Sequence, residues 1–310
     1  MQLTNRRVRL MGTVIDVSIY HEEPEPLLDQ VEALLHTYNK RFSANDDSSE
    51  LMKINKAAGL HPVTVHPELF ELISLGKWHS CQPGSHLNIA IGPLIQTWRI
   101  GFSDAKLPLP EEIRPLLDII NPNAILLSEE NQSVFLKEKG MKIDLGALAK
   151  GYIADRIADF LKAEKVTSAL INLGGNVLTF GPALHNPDHK WRIGIQNPKE
   201  TRNTNLMVLA IRDKSVVTSG IYERTFEIDG KNYHHIFDSQ TGYPVSSDLA
   251  SLTIISSLSV DGEIWTTRLF GSSLEHIFQE VSSQAELEAI IVDKDNHCFQ
   301  TGGIYKMRIS

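Results

Sequence analysis

The alternation of apolar and polar positions changes period several times along the chain. Residues 7–20 alternate, with Val8, Leu10, Val14, Asp16, Ser18 and Tyr20 on one side and Arg9, Met11, Ile15 and Val17 on the other, which predicts a strand. Pro24 and Pro26 then open a stretch in which Leu27, Leu28, Val31, Leu34, Leu35 and Tyr38 recur at helical spacing to about Arg41. The polar run at 42–50 predicts a loop, and helices are expected at 49–57 and 67–81. The apolar segment 88–102 carries a Gly-Pro pair, and the proline-rich, charged stretch 104–122 reads as an insertion or mobile connection.

Downstream, strands are expected at 124–127 and 133–145. A helix after Gly146 presents Leu148, Tyr152, Ile153, Ile157 and Leu161 on one face. Beyond Lys165 the pattern is β-rich, with strands expected at 168–173, 176–180, 190–196, 205–212, 215–218, 223–228, 231–238, 250–257, 288–293 and 297–299. Asp229-Gly230 between two of these runs is a hairpin signal. One or two helices fall between Asp261 and Ser282. The pattern predicts an α+β fold of mixed or antiparallel sheets with helices packed on them; the length suits one large domain or two ordinary ones, and the chain is read as a single domain over 1–310 with a possible mobile insertion at about 104–122.

Composition narrows the classes. The 310 residues are 42% hydrophobic and 22% charged, a globular balance, and the formal net charge of −8 argues against non-specific nucleic-acid binding. Cys81 and Cys298 form no CxxC motif; one disulfide between them stays open, and two buried free thiols are the preferred reading. The N-terminal residues show no signal-peptide pattern, and no apolar run reaches the roughly 18 residues a membrane span needs. As written the sequence is expected to be cytoplasmic, an exported form requiring a segment that has been trimmed away.

Four segments carry candidate chemistry. In DLGALAKGYIAD, 144–155, Asp144 and Asp155 bracket a helix start, Lys150 and glycines that let a ligand approach the backbone, an arrangement suited to a phosphate. In INLGGN, Gly174 and Gly175 mark a bulge, a ligand contact or a tight turn. In 216–245, Thr218, Ser219 and Gly220 read as a small polar turn, and His234 and His235 point to opposite faces of a strand, so at most one serves a given site. In 259–271, Asp261, Glu263, Thr266 and Thr267 offer only oxygen ligands, which suits Mg²⁺; Glu263 and Thr267 share a helical face. Rossmann, P-loop, GxSxG, HExxH and zinc patterns are absent from the sequence.

Taken in order, MGT at 11–13, FSANDDSSELMKIN at 42–55, IGPL with Trp98 at 91–98, DLGALAKGYIAD, INLGGN, TSGIYER, HHIFDSQTGYP and DGEIWTTRLF resemble the ApbE family of FAD:protein FMN transferases. The resemblance covers about residues 8–275 and implies an ApbE-like architecture related to the T-fold. It implies Mg²⁺-dependent transfer of FMN from FAD to a Ser/Thr hydroxyl of an acceptor flavoprotein, with release of AMP. By the same resemblance, Met11, Asn45, the Ala90-Ile91-Gly92 turn, Asp144, Lys150 and Ile236 contact FAD, and His235 is the base. The Ala147 carbonyl, Glu263 and Thr267 hold the metal, with Asp261 as second choice for the carboxylate. The chain departs from the family where Asn45 replaces a frequent tyrosine, which leaves room for water, and where Glu263 replaces an aspartate. An FAD pyrophosphatase giving free FMN and AMP, and a non-catalytic flavin-binding protein, are the rival readings of the same residues.

Overall fold

The computed structural model describes residues 2–202 and 204–309. In chain order the elements begin with strands β1 (Leu3–Leu10) and β2 (Thr13–Tyr20), helices α1 (Pro24–Phe42) and α2 (Glu50–Lys56), β3 (Val63–Thr64), and helices α3 (Pro67–Ser80), α4 (Gly92–Trp98) and α5 (Pro110–Leu117). Strands β4 (Ile125–Ser128) and β5 (Ser133–Leu136) precede α6 (Ala149–Ala163). Next come β6 (Ser168–Leu173), β7 (Asn176–Phe180), β8 (Trp191–Gln196), β9 (Asn205–Ile211), β10 (Ser215–Gly220), β11 (Thr225–Ile228), β12 (Lys231–His234) and β13 (Leu249–Ser256). Helices α7 (Ser259–Leu269) and α8 (Leu274–Ser282) and strands β14 (Glu288–Asp293) and β15 (Cys298–Gln300) complete the order.

Eight strands form one open antiparallel sheet in the order β1-β2-β6-β7-β10-β13-β14-β15. Its central strands are covered on both faces, so all eight residues of β13 and all five of β7 are buried. One face packs Ile15, Val17, Ile171, Leu252, Ile254 and Ile291 against α1, α6 and α7. The other packs Val177, Val216, Ile255 and Ile290 against the β8–β9 ribbon through Trp191, Ile193 and Leu209. The α+β class predicted from periodicity is the fold observed, with antiparallel sheets and no closed barrel.

Several local expectations change. Residues 7–20 are not one strand but the facing arms of the β1–β2 hairpin, because Met11 and Gly12 take left-handed φ values of 54° and 71° and reverse the chain in two residues. Gly174 and Gly175 likewise make the β6–β7 turn, at φ 66° and 97°, and a Cβ at Gly174 would overlap Thr13 Oγ1 at 2.2 Å. The Asp229-Gly230 hairpin forms as predicted, both residues left-handed. Thr218, Ser219 and Gly220 are not a turn: they continue β10, and Thr218 Oγ1 meets Thr253 Oγ1 across the sheet at 2.8 Å. The strand expected to Leu145 ends at Leu136, since the following backbone is bonded elsewhere. Both cysteines are free, but neither is buried: Cys81 is half-buried and Cys298 exposed.

The stretch 104–122 holds α5, whose Ile113 enters a small cluster with Leu94, Trp98, Ile100, Ile120 and Phe237. Trp98 is fully buried there and donates from Nε1 to the Gly242 carbonyl at 2.9 Å. The segment after β12 is thereby fixed to α4.

Candidate active site

The approach to α6 is shaped by backbone clamps. Asn55, buried at the end of α2, donates Nδ2 to the Ile143 carbonyl at 3.0 Å and accepts the Ile143 N–H at 2.7 Å, so 143 forms a ladder with a side chain instead of a strand. Asp144 N–H bonds the Ile89 carbonyl at 2.9 Å, and Gly92 N–H bonds the Lys142 carbonyl at 3.2 Å. A Cβ at Gly92 would lie 2.7 Å from that carbonyl oxygen, so only glycine allows the approach. These bonds set Ala90, Ile91 and Gly92 beside Asp144. Its carboxylate accepts the Gly146 N–H at 2.8 Å; desolvation raises its pKa, opposed by that bond and by the Arg224 charge. Among the described residues no backbone N–H is donated to the Ala147 carbonyl, because the regular bonding of α6 begins one residue later, with Tyr152 N–H on Leu148.

Helices α6 and α7 meet at Gly151, where a Cβ would stand 2.6 Å from the Ser259 carbonyl oxygen. This glycine serves helix packing, not the ligand approach read from the sequence. Gly262 plays the same part against Val217 of β10, at 2.5 Å. Asp155 lies across the junction, 4% exposed, and accepts the N–H groups of Ser259 and Val260 at 2.7 and 2.9 Å. It caps the first turn of α7 from a different helix, a task the α7 N-cap residue Leu258 cannot perform. Burial raises the Asp155 carboxyl to about 6 despite these two bonds.

One turn into α7, Glu263 is 4% exposed. Its Oε1 accepts Lys150 Nζ at 2.7 Å and Asn176 Nδ2 at 3.0 Å. Among the described residues nothing donates to Oε2. Thr267 stands one turn on, half-buried, without a side-chain hydrogen bond among the described residues, whereas Thr266 Oγ1 is engaged by the Glu263 carbonyl at 3.1 Å. Asp261 has no hydrogen bond to Lys150 or Glu263 among the described residues; desolvation, then the charge of Glu286, raise its pKa, and its own charge is felt at Asp155.

The two histidines separate clearly. His234 Nε2 donates to the Val245 carbonyl at 3.1 Å and its Nδ1 accepts the Ile236 N–H at 3.3 Å, so both ring nitrogens are occupied. His235 uses only Nδ1, 3.3 Å from the Arg224 carbonyl oxygen. A carbonyl only accepts, so Nδ1 carries the proton and the Nε2 lone pair is left available. Burial, then the Arg224 charge, lower the His235 pKa to about 4, with His234 and Lys150 adding to the shift, so the ring is neutral at pH 7. The Arg224 side chain runs past Gly101 and the β1–β2 turn: a Cβ at Gly101 would be 3.0 Å from its Cδ, and one at Gly12 would be 3.8 Å from Nη2. Met11 is thus next to this cation. Asn45 is exposed in the loop before α2, its N–H on Ser43 Oγ at 3.2 Å, and no hydrogen bond among the described residues ties it to the others. Ile236 packs against the main core and its carbonyl accepts Val245 N–H at 2.9 Å.

Lys150 and Glu263 therefore meet at the α6–α7 junction, with His235 close enough for the Lys150 charge to be felt, while Asp144 and Ala147 lie just before α6 and Thr267 one turn beyond Glu263 on α7. Sequence reasoning passed over Asn55, Asn176, Ser259 and Arg224. Asn176 ends the INLGGN motif and Arg224 ends TSGIYER, so both stood inside segments already singled out. A groove of about 440 Å³ near β15, lined by Leu206, Phe278, Cys298, Phe299, Tyr305 and Arg308 among others, has no carboxylate or histidine in its wall and lies apart from these residues.

An antiparallel α+β body in which a buried carboxylate–ammonium pair at a helix junction lies within electrostatic reach of a neutral imidazole defines the class: an enzyme with a polar, charge-bearing site. The chain belongs to the ApbE family, whose model matches residues 11–291. An FAD:protein FMN transferase of Klebsiella pneumoniae (strain 342) is 44% identical over 92% of this chain and 88% of its own length. One of Treponema pallidum (strain Nichols) is 32% identical over 97% of this chain and 87% of its own. The ApbE protein of Thermotoga maritima shares the fold with a TM-score of 0.91 at 24% identity, covering all of both chains. The flavin transferase ApbE of Vibrio cholerae does so with a TM-score of 0.86 at 20% identity over 99% of each.

Proposed function

We propose that this protein transfers the FMN half of FAD to a serine or threonine hydroxyl of an acceptor protein, releasing AMP. The observation that carries the reading is the Lys150–Glu263 ion pair at the α6–α7 junction, within electrostatic reach of a histidine whose free nitrogen is Nε2. The relatives' shared name, FAD:protein FMN transferase, supports it.

The donor set fits a magnesium ion. No group of three or more His, Cys, Asp or Glu side chains that could hold a metal occurs among the described residues. Mg²⁺ does not need one: it takes one or two carboxylates and completes its shell with phosphate and water. Here Glu263 Oε2, the Thr267 hydroxyl and the Ala147 carbonyl would hold it, and the ammonium of Lys150 already occupies Oε1. The ion would supply charge neutralisation of the pyrophosphate. The chain's own groups do the rest. Lys150 orients and partly neutralises a phosphoryl oxygen, and the Gly92 and Asp144 segments position the nucleotide. His235 Nε2 takes the acceptor's proton as its oxygen bonds to the FMN phosphorus and the bridging P–O bond to AMP breaks.

The test incubates purified protein with FAD, Mg²⁺ and a candidate acceptor flavoprotein, reading in-gel flavin fluorescence and AMP. Labelled acceptor, lost with EDTA and in Glu263→Ala but retained in Asp261→Ala, is the expected result. AMP and free FMN without labelled acceptor would replace transfer by FAD hydrolysis, the reading that Asn45 favours because no aromatic ring there keeps water out. FAD binding without AMP would make the protein a flavin binder.

A further inference from the structure

Glu263 is not held by Lys150 alone. It is the last member of a buried chain that begins on α6, crosses the start of α7 and returns through the β6–β7 hairpin. Asp155 fixes the Ser259 N–H at 2.7 Å. The Ser259 hydroxyl donates to Asn176 Oδ1 at 2.5 Å, and Asn176 Nδ2 donates to Glu263 Oε1 at 3.0 Å. Ser215 Oγ stands 3.1 Å from both Ser259 Oγ and the Val177 carbonyl. Ser215 and Ser259 are fully buried, and Asn176 is 2% exposed.

The direction of this chain is dictated by its ends. A carboxylate only accepts, so Asn176 must turn its amide nitrogen toward Glu263 and its oxygen toward Ser259. With Ser259 held by Asp155 through the main chain, the amide cannot flip without stranding a buried donor or acceptor. Asn176 is delivered to this place by the Gly174–Gly175 turn, as the first residue of β7. Both donors, Lys150 and Asn176, go to the same oxygen of Glu263. The other oxygen is thereby left without a donor among the described residues.

We propose that Asn176 is a positioning residue that fixes the Glu263 carboxylate with Oε2 directed at the divalent cation. This rests on the reading of Glu263 as a metal ligand. Groups that orient a ligand from behind tune metal affinity by about 10–100-fold, so the effect is readable without turnover.

The probe is Mn²⁺ alone, titrated into full-length protein and followed by the electron paramagnetic resonance signal of the free ion, with thermal melts of the same samples. Wild type is expected to bind one ion and Glu263→Ala to lose it. Asn176→Leu is expected to weaken it by about 10-fold or more, and Ser259→Ala, which keeps the amide but frees its oxygen, by less. If Asn176→Leu binds Mn²⁺ as wild type does while Glu263→Ala does not, the inference fails and the metal reading stands. If Glu263→Ala binds as wild type does, the metal reading fails and the inference with it. A melting change in Asn176→Leu without an affinity change marks a purely structural amide and overturns the proposal. Should Asn176→Leu not fold, Asn176→Ser, polar but too short to reach Glu263, is subject to the same comparison.

Discussion

His235 shows how far a single residue departs from what its type implies. A histidine in water titrates near the middle of the physiological range, but here the ring is half-buried beside Arg224, with Lys150 and His234 within electrostatic reach. Its folded pKa of about 4 keeps it neutral, and the Arg224 carbonyl leaves the Nε2 lone pair free for the proposed role of base. The acidic limb of kcat/KM for FMN transfer, which reports the free enzyme, is therefore expected near pH 4 and not near 6.5. Arg224→Met removes the charge that ranks second after burial, so the limb should move to higher pH, while Arg224→Lys should hold it near its original place. A limb unmoved by Arg224→Met would show that burial alone sets the neutral ring. Residue types and their spacing exposed the candidate pair His234 and His235. Which of them has a free nitrogen was not legible, because it depends on the carbonyls of Val245 and Arg224, each reached only after the chain has folded back.

Between elements, the α6–α7 crossing decides whether Lys150 and Glu263 meet. Gly151→Ala would put a methyl 2.6 Å from the Ser259 carbonyl oxygen and 2.7 Å from the Val260 Cα, both rigid backbone. Overpacking of this kind costs about 1–3 kcal/mol. Urea melts should show that loss, and AMP release should fall more than the lost fraction of folded protein explains, because the helices separate at the ion pair. Asp155→Ala acts at the same crossing by leaving two N–H groups of α7 uncapped, expected to cost about 1–2 kcal/mol. Its pH dependence has a definite sign. The folded carboxyl is raised from 3.8 to about 6, so the native state holds the proton more tightly. Wild-type stability then falls as pH rises from about 4 to 6, and the deficit of the alanine variant narrows over the same window. Melts at pH 4.5 and 7.5 check it: a deficit that widens with pH would contradict the raised carboxyl. Helix α6 was readable from apolar spacing, because it buries a continuous apolar face, whereas α7, buried almost all round and rich in polar residues, was placed only as one or two helices between Asp261 and Ser282. The β1–β2 hairpin was not readable, since alternation runs unbroken through a two-residue turn and the reversal rests on a methionine in a left-handed conformation. Nor was the end of β5, because Asn55 captures the backbone of Ile143 from 88 residues away.

Across the whole molecule, the site draws on parts with different anchorage. Lys150, Asn176 and Glu263 stand on α6, β7 and α7, all packed on the sheet through the main core. His235 depends instead on the segment from β11 to Val245, which the Trp98 cluster ties to α4 and α5. Within that segment Asp238 builds the turn by accepting Gln240 N–H at 2.8 Å and Thr241 Oγ1 at 3.1 Å, and Gly242 follows at φ 75°. A Cβ at Gly242 would be 2.4 Å from Ile113 Cγ2, so this turn and α5 share one tightly filled contact. Gly242→Ala adds backbone strain to that overlap and should pry the segment off the cluster without touching the sheet. Hydrogen exchange is expected to quicken over 225–245 and across α5, while β10 and β13 keep wild-type protection. Mn²⁺ affinity, which the proposed metal site assigns to Glu263 and its partners, should be unchanged, and transfer to the acceptor should fall because the proposed base is displaced. Equal acceleration of exchange in the central strands would show instead that the Trp98 cluster and the main core unfold as one unit, and the proposed division of the site into a rigid metal half and a separately held base would be lost.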